Sequence, residues 1–573
     1  MDGPQSPTER LLASARVRGT PTVAILVIAF GLGFSATVRK SMTVDEFSVL
    51  PNGLALLKLG DFSIDAGVPP LAKVLPALPL LAARPVFDPT QLRQHHNSWK
   101  YGGQYIEDNR DTFHSHLILG RSVSLACFTL VCLLASLMAR RLYGPTAGLI
   151  ALAFTAFSPN LLAHGSLVTT DIYLTTAVVA FLLCCDRFLC ELRTADAGLI
   201  GVTLGLACLC KYTGLLFVGV FGIVALLLLR REARKTGDNS TPRTRLALQI
   251  AGALAVAWLV ICAGYLFQGF GLPLGRYPFG SDAMKTIQGL LPAWLPVPLP
   301  QYFVQGIDVQ MAERGYSTYV LGRTSEDGFW YYYLVCVLTK LPTATLILAA
   351  IAALVDRRVR HRELPLLLTV AVPFVLLSLS GHKNIGMRYL LFGIPALAVW
   401  ISRIVAAPGW NAPESRRQFR LLATAGTAGL LFANLTIWPD YLAFFNRVCG
   451  GPDQGYRYLL DSNLDWGQDL IGLRRFMEKN GIDRVHLAYF GRVKPEFYGI
   501  RYDHLGYGPP ARYAAVSANL LWGRMYFLNG TDVWPFNEDV FEVMRELVPM
   551  TVIGHTIYVY DLARQPASAV RPR

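Results

Sequence analysis

The fold is decided by the stretch PTVAILVIAFGLGFSATV, residues 21–38, which is followed closely by SMTVDEF, residues 41–47. Residues 21–38 form an apolar run long enough to cross the hydrocarbon core of a bilayer as a helix. The adjacent carboxylates Asp45 and Glu46 lie a few residues beyond its end. Charged groups near lipid are costly, so such a pair invites a functional explanation. Taken alone, it is equally compatible with a solvated loop.

The rest of the chain repeats this apolar pattern. The 573 residues are 53% hydrophobic and only 16% charged, whereas a soluble domain is about one quarter charged. The apolar residues fall into separate runs of about 17 to 25 residues, which is the length of a membrane span. We therefore predict an α-helical polytopic membrane protein with about eleven transmembrane helices. The predicted spans are 21–38, 117–138, 146–163, 172–190, 197–210, 212–229, 246–267, 329–354, 364–380, 389–407 and 421–438.

The net charge of +14 does not indicate nucleic-acid binding, because the Lys and Arg residues lie in short loops between apolar runs. That distribution is typical of cytoplasmic loops. With residues 1–20 as a cytoplasmic tail and eleven spans, every basic cluster falls on the cytoplasmic side. The transmembrane domain is then 21–440, and its loops 39–116 and 268–328 are external.

The tail, residues 441–573, has low hydropathy and is predicted to form a small extracytoplasmic α/β domain. Residues 484–490, 513–521 and 551–562 have the character of strands. Residues 468–479 carry apolar side chains at helical spacing before Asn480-Gly481, a helix stop.

Charged residues recur at the predicted external ends of the spans, where positive charge is otherwise disfavoured. They are Asp45, Glu46, Lys73, Arg121, Asp171, Lys211, His382, Lys383 and Arg388. Each has a simpler explanation: Arg121 and Lys211 can extend to the interface, and Asp171 can cap a helix. Their shared location instead favours an anionic ligand at the outer membrane surface, with a carboxylate beside it to remove a proton.

One reaction combines these features. An acceptor hydroxyl attacks a sugar held on a lipid phosphate while a carboxylate removes the hydroxyl proton. Lys and Arg stabilise the charge that grows on the leaving phosphate. A single displacement of this kind inverts the anomeric centre.

The same residues resemble the GT-C superfamily of integral-membrane glycosyltransferases, and within it the protein O-mannosyltransferases and lipid A aminoarabinose transferases. Asp45-Glu46 is similar to the acidic pair of the family's first external loop, and Pro69-Pro70-Leu71 with Lys73 to its Pro-Pro-Leu element. Val68 stands where that element usually begins with His. Further similar segments are Gly120-Arg121, Thr170-Asp171, Lys211-Tyr212 and Arg388-Tyr389. The tail segment DSNLDWGQDL, residues 461–470, is similar to bacterial phospholipid-carrier-dependent glycosyltransferases.

The resemblance implies roles for these residues. Asp45 would be the catalytic base, and Glu46 would orient the acceptor or share that role. Arg388, Lys211 and Arg121 would contact the carrier phosphate. The remaining expected substrate-binding residues are Lys73, Asp171, His382 and Lys383. A second acidic position is expected in loop 268–328, at Asp308 or Glu313.

The resemblance also implies a multi-pass protein of the bacterial inner membrane whose donor is a polyprenyl-phosphate sugar. The sugar stays open, and so does the acceptor, which is a glycan, a lipid or a protein. Some GT-C enzymes bind a divalent metal near the acidic loops and others need none. No cluster here has convincing metal-ligand spacing; His95-His96 and His114 with His116 are better explained as loop and interface residues.

Two other classes of function remain as alternatives. A secondary transporter would use charged residues to gate a solute, but it would place them near the midplane and show repeated halves. A non-catalytic scaffold would bind polysaccharide through its external domain.

Overall fold

The computed structural model describes residues 7–90, 92, 97–235, 240–313, 317–355, 359–380, 384–406, 413–505, 511–523 and 539–564. Most of them are helical. In the first half, the helices are α1 (Pro7–Thr37), α2 (Glu46–Leu59), α3 (Pro70–Ala77), α4 (Leu80–Ala83), α5 (Ser98–Asp108), α6 (Phe113–Tyr143), α7 (Pro145–Ala156), α8 (Pro159–Gly165), α9 (Thr170–Glu191), α10 (Thr194–Cys210), α11 (Leu215–Lys235) and α12 (Ser240–Gly264). In the second half, they are α13 (Asp282–Leu290), α14 (Gln301–Ala312), α15 (Tyr332–Lys340), α16 (Thr343–Val355), α17 (Leu364–Ser380), α18 (Gly393–Ile401), α19 (Pro413–Ile437), α20 (Leu470–Lys479), α21 (Ala518–Trp522) and α22 (Asp539–Glu546).

The predicted fold class is confirmed: the protein is a helical, polytopic membrane protein with a small sheet near its C-terminus. Each predicted span falls on a helix, on a bent pair of helices or on a shorter apolar helix. Within the described residues, six helices are long and apolar enough to cross a membrane, or up to eight if each bent pair is one span. The shorter apolar helices are Thr194–Cys210, Gly393–Ala406 and Leu421–Ile437. The count of eleven spans therefore stays a prediction.

The two bent pairs arise at prolines. Helices α7 and α8 meet at 63° next to Pro159, and α15 and α16 meet at 107° next to Pro342. Proline lacks the N–H that would continue the helical ladder, and its ring excludes the preceding turn. The sequence analysis predicted neither bend, because the length of an apolar run records hydrophobicity and not the direction of the helix axis.

Two short strands, β1 (Thr318–Val320) and β2 (Arg323–Ser325), form a hairpin. A separate C-terminal sheet has five strands among the described residues: β3 (Val485–Ala488), β4 (Tyr502–His504), β5 (Tyr513–Ser517), β6 (Thr551–Ile553) and β7 (Ile557–Asp561). Their order across the sheet is β4-β3-β5-β7-β6. Strands β3, β4 and β5 are parallel, and β7 runs antiparallel to β5 and β6.

One strand prediction was wrong in detail. Residues 551–562 form the hairpin β6–β7 and not a single strand, because the chain reverses at Gly554 and His555, which have φ values of 57° and 64°. The predicted helix 468–479 is confirmed as α20, and the strand predicted at 513–521 ends at Ser517, where α21 begins.

The C-terminal region packs directly on the segment between α1 and α2. The Ser41 N–H donates to the Gln468 carbonyl at 2.9 Å, and the Val44 N–H donates to the Trp466 carbonyl at 3.2 Å. Lys40 also lies between the carboxylates of Asp440 and Asp469. The loop that follows the first span is therefore fixed by residues four hundred or more positions away.

The other ends of the helices carry a separate ionic cluster. Arg141 and Arg362 both pair with the buried carboxylate of Asp186, at 2.9 and 2.7 Å. Helix α6 rises about 1.5 Å per residue, so Arg141 lies about 30 Å from Arg121 along its axis. Two of the basic loops predicted to be cytoplasmic thus meet at the end of the bundle opposite Arg121.

Candidate active site

A cavity of about 780 Å³ lies where the helix ends meet the C-terminal region. Among the described residues, its charged lining comes from five parts of the chain: Asp45 before α2, Lys211 after α10, Glu313 after α14, Arg388 before α18, and Asp461 in the C-terminal region. The cavity is therefore assembled from segments that are far apart in sequence.

Arg388 lies at the centre of the charged groups. Its Nη1 lies 2.5 Å from Asp45 Oδ2 and 3.9 Å from Asp171 Oδ2. Asp171 is buried and also accepts a hydrogen bond from Lys211 Nζ at 2.6 Å. The order Asp45, Arg388, Asp171, Lys211 is therefore a chain of alternating charge, in which only Asp45 has a substantial exposed fraction, 31% of its side chain.

Two aromatic rings support the cations. The Arg388 guanidinium lies 4.4 Å from the centre of the Trp466 ring, and Lys211 Nζ lies 3.9 Å from the centre of the Tyr389 ring. Burial alone would lower the pKa of Arg388, but the carboxylates of Asp45 and Asp171 hold it above its usual value. Arg388 thus stays positively charged although its side chain is largely buried.

Not every buried polar atom of these four charged side chains has a hydrogen-bond partner. Arg388 Nε and Asp171 Oδ2 have no hydrogen-bond partner in the described part of the protein. Buried polar atoms normally have partners, and an exception needs an explanation. A guanidinium N–H that has no partner beside a cavity is suited to an anionic ligand oxygen, such as that of a phosphate or a carboxylate.

Glu46 and Arg121 form a second, separate pair that is fully buried. Both Glu46 oxygens accept from Arg121, at 2.7 and 2.5 Å, and the remaining guanidinium N–H groups donate to the carbonyls of Thr37, Lys40 and Ser41. All five Arg121 donors are therefore used. Burial alone would raise the pKa of Glu46, but the charge and hydrogen bonds of Arg121 lower it.

The two members of the acidic pair therefore lie in different surroundings. Asp45 faces the cavity, whereas Glu46 points into the protein and also accepts from the Val168 N–H at 2.8 Å. The structure does not bring Glu46 or Arg121 to the cavity lining. Their predicted contacts with acceptor and phosphate stay untested, and the geometry gives them a positioning role.

Lys73 also lies behind the cavity and not in its wall. Its Nζ donates to the Asp65 carbonyl at 2.6 Å and lies 3.6 Å from the Asp65 carboxylate. Burial lowers its pKa. Lys73 thus secures the loop whose residues Gly67, Val68 and Pro69 line the cavity.

Asp308 and Glu313, the two candidates for the second acidic position, differ in their surroundings. Asp308 accepts from the N–H groups of Gly280 and Ser281 and from the Ser281 hydroxyl, at 2.7, 2.9 and 2.6 Å. Its oxygens are thereby committed to the turn before α13. Glu313 lines the cavity instead.

Sequence reasoning did not single out Asp461 or Trp466 as site residues. The available signal was the segment 461–470, which was noted for its resemblance but given no chemical role. His382, Lys383 and His95-His96 lie outside the described residues. Among the residues that are described, no group of three or more His, Cys, Asp or Glu side chains is placed to hold a metal ion.

Residues 112–264 match the family model described as dolichyl-phosphate-mannose-protein mannosyltransferase. The predicted resemblance to GT-C glycosyltransferases is confirmed. The part of this GT-C-like chain that matches runs from the start of α6 to the end of α12 and includes Arg121, Asp171 and Lys211. No curated protein matches the sequence significantly.

Solved structures provide two further comparisons. ArnT from Cupriavidus metallidurans, bound to undecaprenyl phosphate, is 16% identical with a TM-score of 0.45, covering 80% of this chain and 72% of that chain. The oligosaccharyltransferase of Archaeoglobus fulgidus in its apo form is 13% identical with a TM-score of 0.43, covering 88% of this chain and 71% of that chain.

Proposed function

We propose that this protein is an inverting membrane glycosyltransferase. It transfers a sugar from a polyprenyl-phosphate carrier to an acceptor hydroxyl on the extracytoplasmic side of a bacterial inner membrane. The observation that carries the proposal is the cavity in which the Asp45 carboxylate, 2.5 Å from Arg388, is joined by Lys211 at the ends of the spans. The matching family model names a dolichyl-phosphate sugar, which is a lipid phosphate of the same chemistry.

The chemistry divides between the base and the cations. Asp45 removes the proton of the acceptor hydroxyl as that oxygen forms a bond to the anomeric carbon. The bond between the anomeric carbon and the phosphate oxygen breaks on the opposite face, and its electron pair leaves with the polyprenyl phosphate. Arg388 and Lys211 stabilise the growing negative charge. The carrier's hydrocarbon tail remains in the bilayer, next to the apolar lining residues Leu215, Leu376 and Leu377.

The test of the base is Asp45→Asn, which keeps the shape of the side chain but cannot take the proton. We expect the transferred sugar to fall roughly 10²- to 10⁴-fold, measured by mass spectrometry of cell-envelope glycans in a deletion strain that carries the variant. Asp61→Asn, an exposed carboxylate in the same external loop, should leave the product unchanged. Full product with Asp45→Asn would remove Asp45 as the base.

The test of the phosphate site is Arg388→Lys, which keeps the charge but loses the planar fork. We expect it to weaken the binding of undecaprenyl phosphate to the purified protein roughly tenfold, whereas Asp45→Asn should bind this probe at least as well as wild type. Unchanged binding by Arg388→Lys would argue against a phosphate contact. Solute counterflow in proteoliposomes without sugar transfer would instead favour a transporter.

A further inference from the structure

The C-terminal region forms part of the cavity wall. Asp461 and Trp466 line the cavity beside Asp45 and Arg388. Trp466 is almost fully buried beneath the Arg388 guanidinium. The segment 461–466 is therefore part of the site, although it belongs to the region that follows the last apolar helix.

The same segment holds the backbone that carries Arg388. Asn463 Oδ1 accepts from the Met387 N–H at 2.9 Å, and the Ser462 hydroxyl donates to the Ile385 carbonyl. Asn463 Nδ2 donates to the Tyr332 hydroxyl at 2.9 Å, which anchors the contact to α15. These bonds fix the segment 461–466 and the segment 385–388 relative to each other.

Asp461 itself has an unusual backbone. Its φ of 58° lies in the left-handed region, which a residue other than Gly rarely adopts. The conformation is held by two hydrogen bonds: Ser462 N–H donates to Asp461 Oδ1 at 2.5 Å, and Asp461 N–H donates to Asn519 Oδ1 at 2.9 Å. Strain of this kind, over-determined by its surroundings, is typical of functional positions.

The charges in the cavity limit what Asp461 can bind. A donor phosphate would engage Arg388 and Lys211, so the lining carboxylates Asp45, Glu313 and Asp461 are left as groups that, when ionised, only accept hydrogen bonds. An acceptor that fits must therefore present at least two donor groups. The acceptor must not carry an anionic group of its own, because the carboxylates of the cavity lining would repel that group.

We propose that Asp461 contacts the acceptor, by accepting a hydrogen bond from a hydroxyl next to the one that Asp45 deprotonates. The acceptor is then an uncharged saccharide with neighbouring hydroxyls. This inference rests on the proposed function, and it names the acceptor class for the same site. Burial raises the pKa of Asp461 to about 6, with the charge of Asp45 adding to the effect and that of Arg388 opposing it. Asp461 accordingly ionises at a higher pH than a solvent-exposed aspartate does.

The test compares Asp461→Asn with Asp483→Asn, a matched change in the same region at a side chain that is 80% exposed. We expect Asp461→Asn to lower the cell-envelope product roughly tenfold or more, since the amide offers the acceptor hydroxyl a weaker, uncharged partner. Binding of undecaprenyl phosphate to the purified full-length variant should stay within about twofold of wild type, because the donor phosphate contacts lie elsewhere. The control should match wild type in both measurements.

Three outcomes would overturn the inference. Full product with Asp461→Asn would remove Asp461 from the acceptor contact. Equal losses of product and of undecaprenyl phosphate binding would show that Asp461 only supports Arg388. A glycosylated peptide as the Asp461-dependent product would refute the saccharide class. If the product survives both Asp461→Asn and Asp45→Asn, the proposed function fails. If the product is lost with Asp45→Asn but survives Asp461→Asn, only the role of Asp461 is refuted.

Discussion

At the scale of single residues, Asp45 and Glu46 differ more than their adjacency suggests. Asp45 is partly exposed in the cavity, whereas Glu46 is completely buried against Arg121. Removing one partner of a buried pair leaves an uncompensated charge, which is more damaging than losing both. We therefore expect substitutions in the Glu46–Arg121 pair to lower the stability of the protein, and substitutions of Asp45 to lower sugar transfer.

The first residue-scale prediction concerns Arg121→Met. We expect it to destabilise the protein by about 3–5 kcal/mol, because Glu46 would remain buried without its partner. The double variant Glu46→Gln with Arg121→Met should recover part of that loss. Thermal unfolding of the detergent-solubilised protein measures the effect. Unchanged stability with a lost affinity for undecaprenyl phosphate would instead make Arg121 the phosphate contact that the resemblance implied.

The second residue-scale prediction concerns pH and Asp465. Burial raises the pKa of Asp465 to about 7 from its ordinary value of 3.8. Between these two values the folded state holds a proton that the unfolded state has released, so stability falls as the pH rises across that interval. We expect Asp465→Asn to reduce this slope and to raise the unfolding midpoint by a few degrees at pH 8, with a smaller increase at pH 5. Asp483→Asn should keep the wild-type slope; an Asp465→Asn profile that stays parallel to wild type would refute the assignment.

At the scale of elements, the apolar runs predicted the helices well. A run's length and composition are local properties, so each predicted span coincides with helical segments of the structure. The bends beside Pro159 and Pro342 and the reversal at Gly554 depend on backbone direction, which hydropathy does not record. These were the features that the sequence did not predict.

For the site as well, the sequence predicted the residues that a local pattern marks and missed one that long-range packing puts in place. Asp45, Lys211 and Arg388 were grouped because each lies at a span end on one side, and the cavity does bring them together. Asp461 was missed because its place depends on how residues 441–564 pack against the membrane helices. Nothing local marks that packing, since the contacts join segments that are 76 or more positions apart.

The element-scale prediction concerns Lys40, which connects the end of α1 to Asp440 and Asp469. Burial alone would lower the pKa of Lys40, but the charges of Asp469 and Asp440 raise it above its usual value. We expect Lys40→Met to loosen the C-terminal region, because two carboxylates would lose their shared cation. Limited proteolysis should then cleave the C-terminal region several times faster than in wild type. Lys479→Met, at an exposed position in α20, is the control, and equal rates for all three proteins would contradict the prediction.

At the scale of the whole molecule, the two ends of the helical bundle differ in chemistry. One end carries the cavity and the C-terminal sheet, and the other carries Asp186 with Arg141 and Arg362. The positive-inside rule assigns the second end to the cytoplasm. On that assignment we predict that the sheet lies on the extracytoplasmic side.

The whole-molecule prediction tests this orientation. In a cysteine-free background, Glu478→Cys on the exposed face of α20 should react with a membrane-impermeant maleimide in intact spheroplasts. A protein with only the native, exposed Cys190 restored should react after permeabilisation alone, since Cys190 lies near the end of α9 that carries Asp186. The reverse pattern would invert the topology, and labelling of both positions in intact spheroplasts would exclude a single orientation.

The hydrogen bonds from Ser462 and Asn463 to residues 385–387 also bear on how such proteins evolve. Because these bonds support the backbone of both segments, we expect the membrane helices and the C-terminal sheet to depend on each other for their local conformation. A chimaera that exchanges the tail between relatives needs the segment 385–390 from the same parent. Change in this lineage should therefore proceed by paired substitutions across the two segments and not by shuffling of domains.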